Sequence, residues 1–244
     1  MNTSETTVEP RSGLLNVVDI VVAPQAAFAR LRVVPTWGWA FLAASLLGIA
    51  GTLLAAPANL HAWEQYAPAI YAQVFQNLDP AQRETAIQRA VQYGHVIQQL
   101  GWIAIPIVLL VATLIQALIL LVANAIGRGD GTFARFYALV MTCAVVGSGV
   151  GLLLAGLIAV IRGPAAYDTP TAVQAAVPGL ALLAPGAGPK LLAFLTVINV
   201  TSVWSMVLLA LGMIAVANVS RVVAWVTSAF ILLATAAVVA ASTR

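Results

Sequence analysis

Charge is what this sequence has least of. Only 8% of its 244 residues are Asp, Glu, Lys or Arg, where soluble domains carry about 25%. That shortage excludes an ordinary water-soluble domain. Cysteine is nearly absent too: Cys143 stands alone inside an apolar run, which excludes an intrachain disulfide and reads as a small packing residue. The only histidines are His61 and His95. They share a polar segment with Glu64 and Glu84, but without HExxH or comparable ligand spacing, so neither a metal nor a cofactor is expected. No histidine and no aspartate pair falls inside an apolar run, which counts against serine and aspartyl intramembrane proteases and makes a non-enzymatic chain the expectation. The net charge is +3, yet no basic cluster could follow a phosphate backbone, and no nucleic-acid partner is expected.

What is present is hydrophobic, 61% of the chain, and it comes in long runs at about 37–56, 102–124, 137–161, 192–217 and 222–241. At 1.5 Å per residue about 20 helical residues cross roughly 30 Å of hydrocarbon, so each run is long enough to span. The expected fold is all-α, a polytopic integral membrane protein with five transmembrane helices and short interfacial and extramembrane helices. A cytoplasmic tail at 1–36 precedes a membrane domain at 37–244. The runs at 102–124 and 137–161 form an antiparallel hairpin around GRGDGTFARF. Arg128, Asp130 and Arg135 keep that turn in water, because each would cost about 2.5–3.5 kcal/mol at a bilayer centre. Its glycines are expected to supply the positive φ of a tight turn.

The opening MNTSETTVEPRSG lacks the basic, apolar and small-residue order of a removable signal, so the first span is expected to direct its own insertion. LLNVVDIVVAP is apolar but too short to cross. Pro24 suits the first turn of a helix over PQAAFARLR, with Ala27, Phe28 and Leu31 on the face opposite Arg30 and Arg32. That helix is expected to lie on the membrane surface, with a partner-docking role as the alternative. Phe28, Arg30, Arg32, Trp37 and Trp39 are the candidate interfacial anchors: arginines for anionic headgroups, tryptophans for the aromatic belt.

Pro57 is expected to close the first span. A long outer loop at about 57–101 follows and reads as two helices, one kinked at Pro68, the other started by Asp79, Pro80 and Gln82. After the central hairpin, Pro164, Pro170, Pro178, Pro185 and Pro189 exclude a spanning helix. Thr169 or Asp168 can cap a short helix from Pro170, and PGLALLAP is expected as a surface loop, a re-entrant dip being the alternative. With the N-terminus inside, Arg11, Arg30, Arg32, Arg128, Arg135 and Arg221 face the cytoplasm, and Arg83, Arg89, Arg162, Lys190 and Arg244 face outward. Arg30 and Arg32, just before the first span, favour this orientation, with the C-terminus outside.

No Asp, Glu, Lys, Arg or His lies well inside a run, which counts against proton-coupled transporters, pumps and voltage sensors. Polar groups do occur there: Gln116, Thr142, Ser148, Asn199, Thr201, Ser202 and Ser205. They are expected to bond across helices or to their own backbone; the alternative is that Asn199, Thr201 and Ser205 line a substrate cavity. Gly147, Gly151 and Ala155 recur every four residues, with Gly156 beside them, a small-residue face suited to close packing within the chain or against a second copy.

TVINVTSVWSMVLLALGMIAVANVSRVVAWVTSAFILLA resembles the C-terminal half of bacterial members of the Yip family, the Ypt/Rab-interacting five-span proteins, through Trp204 and the apolar run to Gly212, Ser220 and Ala224. GRGDGTFARFYALV is similar to that family's glycine-rich turn, and APQAAFARLRVVPTW to its amphipathic entry into the first span. The resemblance runs from about Val17 to the end without the outer loop. In the eukaryotic branch it implies membrane trafficking with Rab GTPases; this chain lacks that branch's DLYGP and GYG motifs and looks bacterial. The resemblance therefore implies the five-span fold and a membrane-organising or partner-binding role in a bacterial inner membrane, and no binding residue. Membrane lipids, and a second copy or another membrane protein, are the expected partners. A small carrier or channel for a neutral or lipid-like substrate is the alternative.

Overall fold

The structure, a computed structural model, describes residues 12–184 and 186–243; Arg11, Pro185 and Arg244, used above, lie outside them. Among the described residues the chain is built of helices, without a strand. In order these are α1 (Ser12–Val22), α2 (Pro24–Val33), α3 (Gly38–Val74), α4 (Pro80–Ile126), α5 (Phe133–Ala144), a π-helical stretch (Val145–Val150), α6 (Gly151–Arg162), α7 (Pro170–Gln174), α8 (Pro189–Val197), α9 (Val200–Ala217) and α10 (Arg221–Ser242). Five helices are long and apolar enough to cross a membrane: α3, α4, Phe133–Arg162 taken as one, α9 and α10. The chain is an all-α, multi-pass membrane protein. Only helices can satisfy every backbone group within one segment once water is gone. The apolar windows of these helices are no more than 44% buried, which tolerates a lipid solvent and not an aqueous one.

Three expectations are corrected. Pro57 does not close the first span: α3 runs unbroken through Pro57 and Pro68, and α4 through Pro106. A proline removes one amide and crowds the carbonyl four residues earlier, but a long helix whose other bonds persist tolerates it. The segment 57–101 is helical on both sides of a short turn, as its two-helix reading expects: it is the end of α3 and the start of α4, and at the turn Arg83 donates to the Gln76 carbonyl at 2.8 Å. Pro80 does open α4, as the sequence predicts.

The fourth span is shorter than the apolar run at 192–217, because the helix breaks between Val197 and Val200. The Thr196 hydroxyl donates to Ala193 O at 2.7 Å and Asn199 Nδ2 to Thr196 O at 3.1 Å. Freed backbone groups pair with the chain at Pro178–Leu180: Leu180 N donates to Ile198 O at 3.0 Å and Val200 N to Pro178 O at 3.1 Å. A Cβ at Gly179 would stand 2.7 Å from Ile198 O.

The π-helical stretch corrects the small-residue ladder. A turn of five residues in place of four shifts the register between Gly147 and Gly151, so the small residues no longer form one row. They serve two contacts, one in each of the compact units into which the chain divides. The first unit gathers the described residues up to Ser45 with Val108–Ser148 and Thr201–Ala234; the second gathers Leu46–Ile107, Gly149–Val200 and the described residues from Thr235.

In the first unit, Phe28 and Leu31 of α2, Leu120 of α4, Phe136 and Leu139 of α5, and Leu208 and Met213 of α9 share one core. Gly212 makes it possible: a Cβ there would overlap Leu139 and come within 3.1 Å of Phe28. Gly147 faces α9, where its added Cβ would stand 2.8 Å from Ser205 Oγ. In the second unit α3 and α6 touch backbone to backbone, since a Cβ at Gly51 would overlap the Leu152 carbonyl and one at Gly156 the Gly51 carbonyl. Gly151 is buried and Ala155 half-buried. Tyr167 packs among Ala55, Ala58, Ala62 and Ala159, and Thr169, rather than Asp168, caps α7 by accepting from Ala172 N at 3.2 Å. Trp63 crosses from α3 to donate Nε1–H to Val91 O of α4 at 3.2 Å.

Candidate functional site

The densest side-chain chemistry lies in the first unit, where α1 and α2 meet the turn after α4 and the end of α9. Pro24 occupies the first turn of α2 and starts it directly after α1, so Asp19 and Arg30 face each other. Arg30 forms an ion pair with Asp19 and donates Nε–H to Asn16 Oδ1 at 2.8 Å. Asn16, only 1% exposed, donates in turn to Thr36 Oγ1 at 3.3 Å. A buried amide must be bonded on both sides, and here Arg30 and Thr36 do it.

This arrangement corrects the anchor assignment. The apolar face of α2 is not on the surface: Phe28 is 1% exposed, with Ala27 and Leu31 fully buried. The outward apolar face belongs to α1, whose Leu14, Leu15, Val18, Val21 and Val22 are 49–71% exposed. A single-helix periodicity could not distinguish the two, because it gives the apolar face but not what covers it. Arg30 is committed to Asp19 and Asn16. Trp37 and Trp39 are 42% and 49% exposed, and Trp37 lies edge-on to Tyr137 with centroids 5.4 Å apart.

The turn itself is tied to α9 and α2. Asp130 N donates to Ala217 O at 2.9 Å, and the Asp130 carboxylate accepts from Asn218 Nδ2 at 2.9 Å. Arg32 reaches the same carboxylate at 3.5 Å and Asn218 Oδ1 at 3.4 Å. Asn124 and Gly131 bond reciprocally at 3.1 and 3.3 Å. Positive φ falls on Arg128 (51°) and Asn218 (49°), and on none of Gly127, Gly129 or Gly131, contrary to expectation. Those glycines are needed for room: an added Cβ would overlap Asn124 Oδ1 at Gly129 and the Phe136 ring at Gly131. Beside this network, α2, α9 and α10 enclose an open cleft of about 650 Å³.

The polar groups of the apolar runs divide between the two units. Gln116 is half-buried in α4, Asn199 is bonded to the Thr196 carbonyl at the helix break, Thr201 is 5% exposed, and Ser205 donates to Cys143 O at 3.4 Å where the π-helical stretch begins. Asn199 belongs to the second unit and the other three to the first. In the second unit His95 Nε2 stands 3.6 Å from Glu64 Oε1; among the described residues no three His, Cys, Asp or Glu gather as a metal set. The network residues Asn16, Asn124 and Asn218 carry the site and were not singled out in the sequence. Their only signal was an asparagine at the edge of an apolar run. No protein-family model, no curated protein and no solved structure matches the chain.

Proposed function

We propose that this chain is a non-enzymatic membrane protein of the Yip type, acting as a membrane-organising or partner-binding scaffold in a bacterial inner membrane, with its N-terminus cytoplasmic and its C-terminus outside. The observation that carries this reading is the α1–α2 pair. Two helices too short to span are fixed by Asp19–Arg30–Asn16, and one of them presents a row of exposed apolar side chains. Such a face, rigidly held at the end of a membrane domain, suits contact with lipid and with a second copy or another membrane protein. Polar side chains of the apolar runs support it from the other direction: Thr113, Thr142 and Ser205 within spans, and Thr196 and Asn199 before the fourth, donate to backbone carbonyls. A photocrosslinking residue at Val18 or Val22 in native membranes is expected to give a discrete adduct with one protein; lipid adducts alone would contradict the scaffold.

A second reading is a small carrier or channel for a neutral or lipid-like substrate. The break between Val197 and Val200 in the apolar run at 192–217 favours it, since carriers place substrates where apolar helices are interrupted. Reconstituted vesicles separate the two: solute or lipid flux that Asn199→Leu abolishes supports a carrier, and vesicles as tight as protein-free ones do not.

A further inference from the structure

The cleft between α2, α9 and α10 has a composition that the scaffold reading does not use. Its lining holds two arginines, Arg32 and Arg221, and no carboxylate, over apolar walls that include Phe28, Leu211, Ile214 and Trp225. Arg32 lies in the last turn of α2, six residues before the first span begins at Gly38, and Arg221 opens the last span, positions along the chain where headgroup-level arginines are found. Arg221 is exposed, and its guanidinium makes no hydrogen bond or ion pair with the described residues. Arg32 makes only long contacts, 3.5 Å to Asp130 and 3.4 Å to Asn218, with its side chain 42% exposed. Both can turn to an incoming anion without breaking a strong bond. Trp225 is one turn beyond Arg221 on α10 and 39% exposed, placing an amphipathic ring just below the charge.

We propose that this cleft binds one anionic phospholipid, its phosphate held by Arg221 and Arg32 and an acyl chain laid along Leu211, Ile214 and Trp225. Charge complementarity selects the headgroup, because Arg221 has no acidic partner among the described residues and Arg32 only the long 3.5 Å contact to Asp130, which leaves the mouth one positive charge in excess. The apolar floor selects a lipid over a free phosphate. The guanidinium fork suits phosphate oxygens bidentately, which an ammonium would not. This site stands apart from partner binding by α1 and does not depend on it.

Native mass spectrometry of the purified full chain in detergent, titrated with palmitoyl-oleoyl phosphatidylglycerol or the matching phosphatidylcholine, tests the assignment. The wild type is expected to retain one phosphatidylglycerol, several-fold in preference to phosphatidylcholine. Arg221→Gln and Arg32→Gln should each weaken retention about fivefold, the effect of one basic residue near an anionic surface, while Arg89→Gln in the second unit leaves it unchanged. Equal retention of the two lipids by the wild type overturns the proposal without recourse to any variant. So does undiminished retention in Arg221→Gln and Arg32→Gln, or complete displacement by millimolar glycerol phosphate, which would make the cleft a phosphate site.

Discussion

At Gly51 and Gly156 the α3 and α6 backbones lie where a methyl group would have to be. In lipid this closeness supplies dispersion that apolar tails cannot outcompete, since tails and side chains are equally apolar. Gly156→Ala is expected to destabilise the protein by about 1–3 kcal/mol, read from unfolding in mixed micelles, whereas Gly186→Ala, with no atom within 4 Å of its added Cβ, should be neutral. Equal effects would contradict the close crossing. Tyr167 makes a different point. Its ring is 2% exposed, but its hydroxyl has no hydrogen-bond partner, so the ring carries the packing and the hydroxyl carries none. Tyr167→Phe should leave thermal stability unchanged or slightly higher, while Tyr167→Ala should cost about 3–5 kcal/mol.

Among elements, the α1–α2 pair depends on the Arg30 bonds. Asp19→Asn is expected to raise amide exchange across residues 13–34 about tenfold, equivalent to roughly 1.4 kcal/mol, with exchange in the spanning helices unaltered. An unchanged exchange rate would mean that apolar packing of Phe28 and Leu31 alone holds the pair. Local signals made several elements legible beforehand: Pro24 at the start of α2 and Pro80 at the start of α4 read correctly from a few neighbouring residues, and the cap on α7 was narrowed to Thr169 or Asp168, of which the structure uses Thr169. Other features needed the tertiary setting. Pro57 looked like a terminus because proline breaks helices in water, and the break near Asn199 was hidden inside an unbroken apolar run. That break exists because Pro178–Leu180, about 20 residues earlier, offers the backbone another partner. The candidate site was less legible still. Arg30 and Arg32 were recognised, but their partners Asn16 and Asn218 are 14 and 186 residues away from them.

For the whole molecule, the governing fact is that apolar side chains face outward. Ile107, Val122, Phe230 and Val238 are 57–70% exposed, an arrangement that water would penalise and hydrocarbon does not. Five spanning helices then require successive connections to fall on alternating sides of the bilayer. The direct measurement is single-cysteine labelling in a Cys143→Ala background, a change at a 2% exposed site expected to cost about 1 kcal/mol. Arg128→Cys, Ser220→Cys, Gln76→Cys and Asp168→Cys each place a thiol at an exposed position between spans. In the proposed orientation, with a membrane-impermeant maleimide on intact cells, positions 76 and 168 should label, and positions 128 and 220 only after the membrane is breached. Labelling of all four from one side, or a split within either pair, would contradict the five-span architecture.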